Sequence, residues 1–276
     1  MTSNILKFLP GFIRARIENR PGLLKILDNI GWLFFDKMLR MAVGLLIVVW
    51  MARYLGPEQF GLLNFAMAFV GLFGAIATLG LQGIVVRDIV RKPEESKVIL
   101  GTGFVLQVVG GLMAFGLVIL VISLLRPDDT LAKTIVAILG FTQVLKASEV
   151  VKYWFESQVQ SKFVVWVENG VFLIIAGVKV AMILLQAPLM AFVWAAFAEA
   201  LLVAALLFAV YGWKIGSISS WKPSFDRGKM LLRDSWPLIL SGIAVVVYMK
   251  IDQIMLGQMI GDQAVGIYSA TVIFNL

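Results

Sequence analysis

Between Lys97 and Arg126 the chain reads KVILGTGFVLQVVGGLMAFGLVILVISLLR, twenty-eight uncharged residues bounded by two cations. A hydrocarbon core of roughly 30 Å needs about 20 helical residues to cross it. The stretch is long enough to span with some tilt. The run between Glu58 and Arg87 is equally free of charge. Working outward, the chain divides into eight apolar segments, about 33–54, 60–86, 98–124, 131–151, 163–186, 188–212, 236–257 and one starting near 264. The last holds only thirteen residues before Leu276, so the sequence is expected to be cut off within that span.

Composition agrees with this reading. Of 276 residues 60% are hydrophobic and 15% charged, against about 25% charged in a soluble chain. The chain has no histidine and no cysteine, which removes disulfides, thiol nucleophiles, imidazole bases and the usual zinc ligands together. No metal and no cofactor is expected. No Gly-rich run ends in Gly-Lys-Ser or Gly-Lys-Thr, so ATP hydrolysis is not expected either. The net charge of +7 comes from basic residues lying between apolar runs, a sign of membrane topology and not of nucleic-acid binding.

Lys and Arg collect on the cytoplasmic side of short loops. Lys7, Arg14, Arg16, Arg20 and Lys25 precede the first span. Arg87, Arg91, Lys92 and Lys97 follow the second, and Lys214, Lys222, Arg227, Lys229 and Arg233 follow the sixth. The loops 55–59, 126–130, 186–187 and 258–263 are nearly free of both and are expected to face outward. The expected organisation is a cytoplasmic basic segment 1–30, a first lobe of six spans 31–212, a cytoplasmic loop 213–235 and the start of a second lobe 236–276. The first residues interleave basic and apolar side chains, as suits either an interfacial helix or a basic tail, and are not a cleavable signal.

An internal repeat supports the two-lobe reading. Leu55-Gly56-Pro57-Glu58-Gln59-Phe60-Gly61 follows the first span, and Ile260-Gly261-Asp262-Gln263-Ala264-Val265-Gly266 follows the seventh, with both glycines offset by 205. Six intervening spans preserve orientation, which implies parallel lobes related by an axis along the membrane normal. A generic need for Gly in any outward hairpin is the alternative.

Arg53-Tyr54-Leu55-Gly56-Pro57-Glu58-Gln59-Phe60-Gly61 and Ala77-Thr78-Leu79-Gly80 resemble the opening of the Wzx-type polysaccharide-lipid (O-antigen) flippases. Tyr153-Trp154-Phe155-Glu156, Ser235-Trp236-Pro237 and Ile251-Asp252-Gln253-Ile254-Met255-Leu256-Gly257 resemble later phrases of that family. The resemblance runs from about residue 30 to the end. It implies an all-α integral membrane protein, a two-lobe bundle of twelve or more helices shared with multidrug and toxin extruders, opening alternately to each side. It also implies a lipid-linked oligosaccharide substrate and a place in the cytoplasmic membrane, with a polysaccharide polymerase and other assembly proteins as further partners.

A diphosphate-linked sugar needs polar groups inside the bilayer, because charge in hydrocarbon is costly. The candidates follow from span geometry. Arg40 and Arg53 lie thirteen residues apart in the first span, about 20 Å at helical rise, so they either reach a cavity or snorkel to the headgroups. Asp36, four residues before Arg40, is placed to pair with it. In the fourth span Lys146, Glu149 and Tyr153 share a face. Glu199 is the deepest charge of the sixth span, and depth counted from the turn at Gln186 brings it level with Lys179. That leaves an internal ion pair or a titrating, ion-coupling carboxylate as alternatives. In the seventh span Ser241, Tyr248 and Asp252 form one stripe, with Asp252 the second-lobe candidate for cavity or coupling. Gly103, Gly110 and Ala114, and Gly71 with Ala75, are expected to allow close helix packing, and the eight Trp to anchor the interfaces. A multidrug exporter of the same fold, a membrane enzyme of polysaccharide assembly and a noncatalytic scaffold are the competing readings.

Overall fold

The computed structural model describes the backbone of residues 21–274 and the side chains of residues 30–272 except Phe35. The basic segment with Arg14, Arg16 and Arg20 lies outside the described residues. Among those described there are helices and turns and no strand.

Helix α1 (Pro21–Leu72) breaks at Gly56, whose φ of 71° and ψ of 170° are not helical, and resumes at Pro57. Gly is the residue that takes a positive φ without strain, and Pro suits a first helical position because it lacks the N–H that would go unbonded there. Asp36 and Gln82 line one cavity, although forty-six residues of straight helix would separate them by about 69 Å. The chain therefore doubles back at Gly56, and the two halves run antiparallel. The second half continues as α2 (Gly74–Thr78) and α3 (Leu81–Arg91), interrupted where Leu79 and Gly80 take positive φ. The sequence predicts one unbroken span there. Gly80 lies so near α9 (Phe225–Met259) that a Cβ would sit 2.9 Å from Leu238 Cβ.

The remaining helices are α4 (Ser96–Leu125), α5 (Thr130–Leu145), α6 (Glu149–Ser157), α7 (Lys162–Leu184), α8 (Leu189–Lys214) and α10 (Asp262–Phe274). Asp129 caps α5 by accepting from Ala132 N at 2.9 Å. A 3-10 turn at Lys146–Ser148 joins α5 to α6 within the fourth span. Helix α9 begins at Phe225, eleven residues ahead of the apolar run from 236, because Ser224 supplies an N-cap, and it runs on through Pro237.

Five helices among the described residues are long and apolar enough to cross a bilayer, and the bent pair 30–72 and 74–91 makes six. The sequence predicts eight. The two antiparallel halves of α1 are counted within that bent pair, and α10, at thirteen residues, is too short.

The bundle is apolar outside, as expected where lipid replaces water, and its largely apolar interior holds a few buried polar side chains. Leu112, Met113, Leu120 and Leu124 of α4 are exposed, whereas Gln107 on the same helix and Gln143 of α5 are buried. Gly110 and Gly111 let α4 approach backbone directly: a Cβ would lie 2.8 Å from Ile76 O and 2.7 Å from Gln143 O. Gly103 makes ordinary contacts, and Gly71 has open space beside it, so the predicted close packing at Gly71 is not formed. Trp50, Trp166, Trp194, Trp213 and Trp236 are exposed, but Trp221 is buried and donates to Tyr211 Oη at 3.0 Å, so it is a packing residue and not an anchor.

Candidate functional site

Two adjoining cavities, of about 270 Å³ and 250 Å³, open into the first six spans. Glu149 and Lys152 line both, so they form one polar region. Helices α5 and α6 supply one wall and, through the intervening 3-10 turn, place Lys146, Glu149 and Lys152 along it. Helix α8 contributes Glu199, α7 contributes Glu168, and the first half of α1 contributes Asp36.

The charges alternate. Arg40 Nε donates to Asp36 Oδ1 at 2.8 Å, and Arg40 Nη2 reaches Glu168 Oε2 at 3.4 Å. Lys152 pairs with Glu168 on one side and lies 3.8 Å from Glu149 on the other. Lys179 and Glu199 pair at 3.2 Å, the internal pair that counting depth from the turn predicts. Glu156 accepts from Gln82 Nε2 at 3.1 and 3.2 Å. Four cations (Arg40, Lys146, Lys152, Lys179) therefore face five carboxylates (Asp36, Glu149, Glu156, Glu168, Glu199). The lining is therefore of mixed charge, with carboxylates in slight excess. Arg40 is neutralised from two sides, because Glu168 arrives on a helix 128 residues away.

Lys146 differs from the others. Every carboxylate named above has a hydrogen bond or an ion pair, and Lys146 alone of the four cations has no ion pair or hydrogen bond among the described residues. Its Nζ reaches over Gly74, where a Cβ would lie 3.1 Å away. Glu149, on the same wall, acts on Lys146 through its field but makes no ion pair with it, and a cation held within a bundle without a bonded counter-ion costs stability unless a ligand or solvent compensates. Tyr153 lines the same region, its buried hydroxyl accepting from Gln107 Nε2 at 2.9 Å.

The other predicted residues lie elsewhere. Arg53 is exposed, with no hydrogen bond or ion pair, and lines none of these cavities. Tyr248 is 86% exposed. It sits nine residues before Gly257, about 180° around the helix from a glycine packed against Phe65. Asp252 accepts from Tyr268 Oη and from Gln253 N, which ties it to α10 and not to the first-lobe cavities. Sequence reading missed Glu168, Lys152 and Asn169. Asn169 is buried, and neither of its side-chain polar atoms finds a partner. Only the Glu149 to Lys152 spacing of three was available as a signal.

The two copies of the repeat touch. A Cβ on Gly61 would collide with Asp262 O, and one on Gly266 with Pro57 O. Adding 205 turns Pro57 into Asp262 and Gly61 into Gly266, so each contact is the image of the other. Such reciprocity is what a two-fold axis between equivalent helices produces. Gly56 and Gly261 repeat as well, with φ of 71° and 114°. Beside this contact Arg126 Nη2 and Nη1 hold Asp262 at 2.7 and 3.0 Å, Nη2 donates to Gly257 O at 2.8 Å, and the guanidinium lies 4.0 Å from the Phe65 ring. Burial works against this charge, but the bonds to Asp262 and the fields of Asp262 and Asp129 outweigh it and raise the Arg126 pKa.

Long apolar helices with internal charge and a repeat meeting on a two-fold contact make this a membrane bundle that contains a duplicated unit. A solved multidrug-resistance transporter of the MATE family and MOP superfamily, in an inward-facing conformation, matches with a TM-score of 0.59 at 14% identity over 88% of this chain. The chain spans 60% of that transporter's length. The profile of the polysaccharide biosynthesis protein family matches residues 26–274, and the chain belongs to that family. No curated protein matches.

Proposed function

We propose that this chain forms the first lobe and the beginning of the second in a transporter that turns polyprenyl-diphosphate-linked oligosaccharide from the inner to the outer leaflet of the cytoplasmic membrane, with its N-terminus cytoplasmic. The observation that carries this reading is Lys146, a cation with no hydrogen bond or ion pair among the described residues, in a polar region where every carboxylate already has one or the other. An anion bound there would gain a charge-assisted bond without breaking an existing pair. The family assignment supports a polysaccharide precursor as that anion, and assembly proteins such as a polymerase are the partners this implies.

A multidrug exporter of organic cations is the second reading, and the five carboxylates favour it. It requires one of them to exchange its present donor for substrate. Movement needs no covalent step on either reading. The test is reconstitution of the full-length protein in vesicles with a fluorescent prenyl-diphosphate saccharide. Lys146→Met is expected to slow flipping about tenfold or more, the loss of one charge-assisted bond, while Lys146→Arg retains most activity. Equal rates for wild type and Lys146→Met refute the site, and export of an organic cation without saccharide flipping refutes the substrate.

A further inference from the structure

The structure points to a second site, at the opposite end of the bundle from the glycine contact. Arg87, Arg91 and Lys92 at the end of α3 and Arg227 and Arg233 at the start of α9 surround a cleft of about 420 Å³, with Asp88 and Asp234 in its lining and Glu95 bonded to Lys92 and Arg227 as counter-charges. Five cations against three carboxylates leave a surplus of two. The sequence shows these residues only as two separate basic segments, each of which marks topology. Folding brings them to one cleft, because α9 packs antiparallel along α2 and α3, with Arg87 Nη2 bonded to Asp234 Oδ2 at 2.6 Å.

The existing pairs do not exhaust the cleft's donors. Arg87 uses Asp88 and Asp234, Lys92 uses Glu95, and Arg227 bonds Glu95. Among the described residues Arg91 and Arg233 have no ion pair or hydrogen bond, and the buried Nε of Arg227 has no acceptor. Guanidinium groups present planar pairs of donors that match phosphate oxygens, and they stay charged throughout the usable pH range. Met230 in the lining is 49% exposed, and Val90 and Trp236 on the same two helices are 58% and 57% exposed. Phosphate-binding donors beside exposed apolar side chains at a helix end suit a molecule with a charged head and a hydrocarbon tail.

We infer that this cleft binds a phosphate-bearing lipid headgroup. Because α3 belongs to the first repeat and α9 leads into the second, the bound headgroup bridges the two. The inference does not depend on the Lys146 region, so the two readings can fail separately.

The test is calorimetric binding to the purified full-length protein in neutral detergent. The probes are dihexanoyl-phosphatidylglycerol, farnesyl diphosphate and, as zwitterionic reference, dihexanoyl-phosphatidylcholine. Phosphatidylglycerol is expected to bind, Arg91→Gln/Arg233→Gln to weaken it about tenfold or more, and Lys146→Met to leave it unchanged. Binding of farnesyl diphosphate alone, with the same loss in the double variant, upholds the phosphate site and assigns it to a diphosphate lipid. If the double variant does not fold, Arg233→Gln alone, at an exposed and unpaired position, serves with an expected loss of about threefold. Equal binding of the zwitterionic lipid, no binding of either anionic probe, or unchanged affinity in the variants overturns the inference.

Discussion

Replacing Arg126 by Gln tests whether the second repeat is docked on the first by one ion pair. The Arg126 side chain is 11% exposed and that of Asp262 19%, and the two share a bidentate contact at 2.7 and 3.0 Å. Removing one partner of a buried pair costs roughly 3–5 kcal/mol, because the other charge is left without compensation. Asp262 keeps some solvent, so the lower end, about 3 kcal/mol, is expected. The lost bond to Gly257 O and the contact with Phe65 fall within that figure and are not added to it. The raised Arg126 pKa means the pair's stability is present below the ordinary arginine range and lost only above it, so the arginine contributes no pH dependence near neutrality. The assay is reversible unfolding of the full-length protein in mixed micelles, run as a double-mutant cycle with Asp262→Asn. Arg126→Gln/Asp262→Asn is expected to recover at least about 1 kcal/mol relative to Arg126→Gln, since no orphaned carboxylate remains. A single-variant loss under about 0.5 kcal/mol, or strictly additive effects, would refute the docking role.

Gly61→Ala should lose about 1–3 kcal/mol, because its methyl would overlap the Asp262 carbonyl and backbone must shift. Gly116→Ala, with open space at the same test, should be neutral or gain up to about 1 kcal/mol in the same unfolding assay. Glu199→Gln should destabilise by orphaning Lys179, and Lys179→Met/Glu199→Gln should return most of the loss. A double variant that folds but stops transport would instead make Glu199 a coupling residue. Arg40→Gln should cost only about 0.5–1 kcal/mol, because that side chain is 33% exposed and Glu168 retains Lys152. A loss as large as that of Arg126→Gln would contradict this ranking.

The spans were legible because a bilayer imposes one length on every crossing. Their interruptions were not. The breaks at Leu79–Gly80 and at Lys146–Ser148 lie within apolar runs whose composition does not change. Neighbouring helices absorb the lost hydrogen bonds, and hydropathy does not register that. Among the charges, Asp36 with Arg40 was legible from spacing and Lys179 with Glu199 from depth below a tight turn. Glu168 was not, since nothing local indicates which of seven other segments an uncompensated carboxylate will face. The same blindness explains Arg40: reading one helix at a time showed Asp36 as its partner and left out Glu168, which comes from another helix.

The repeat and the ion pair beside it obey different symmetries. The glycine contact is reciprocal, so any motion that opens it must move both repeats away from the axis together. Arg126 is not reciprocal: its partner Asp262 corresponds to Pro57, which offers no carboxylate. The junction thus combines a symmetric steric contact, which sets how closely the repeats approach, with an asymmetric electrostatic one, which sets how firmly. Opening requires that Arg126 alone release its partners, Asp262 and the Gly257 carbonyl, since the glycine surfaces carry no charge. A junction of two equivalent ion pairs would need both to break at once. One pair over a small-residue contact keeps the opening cost to the few kcal/mol expected for one buried bridge.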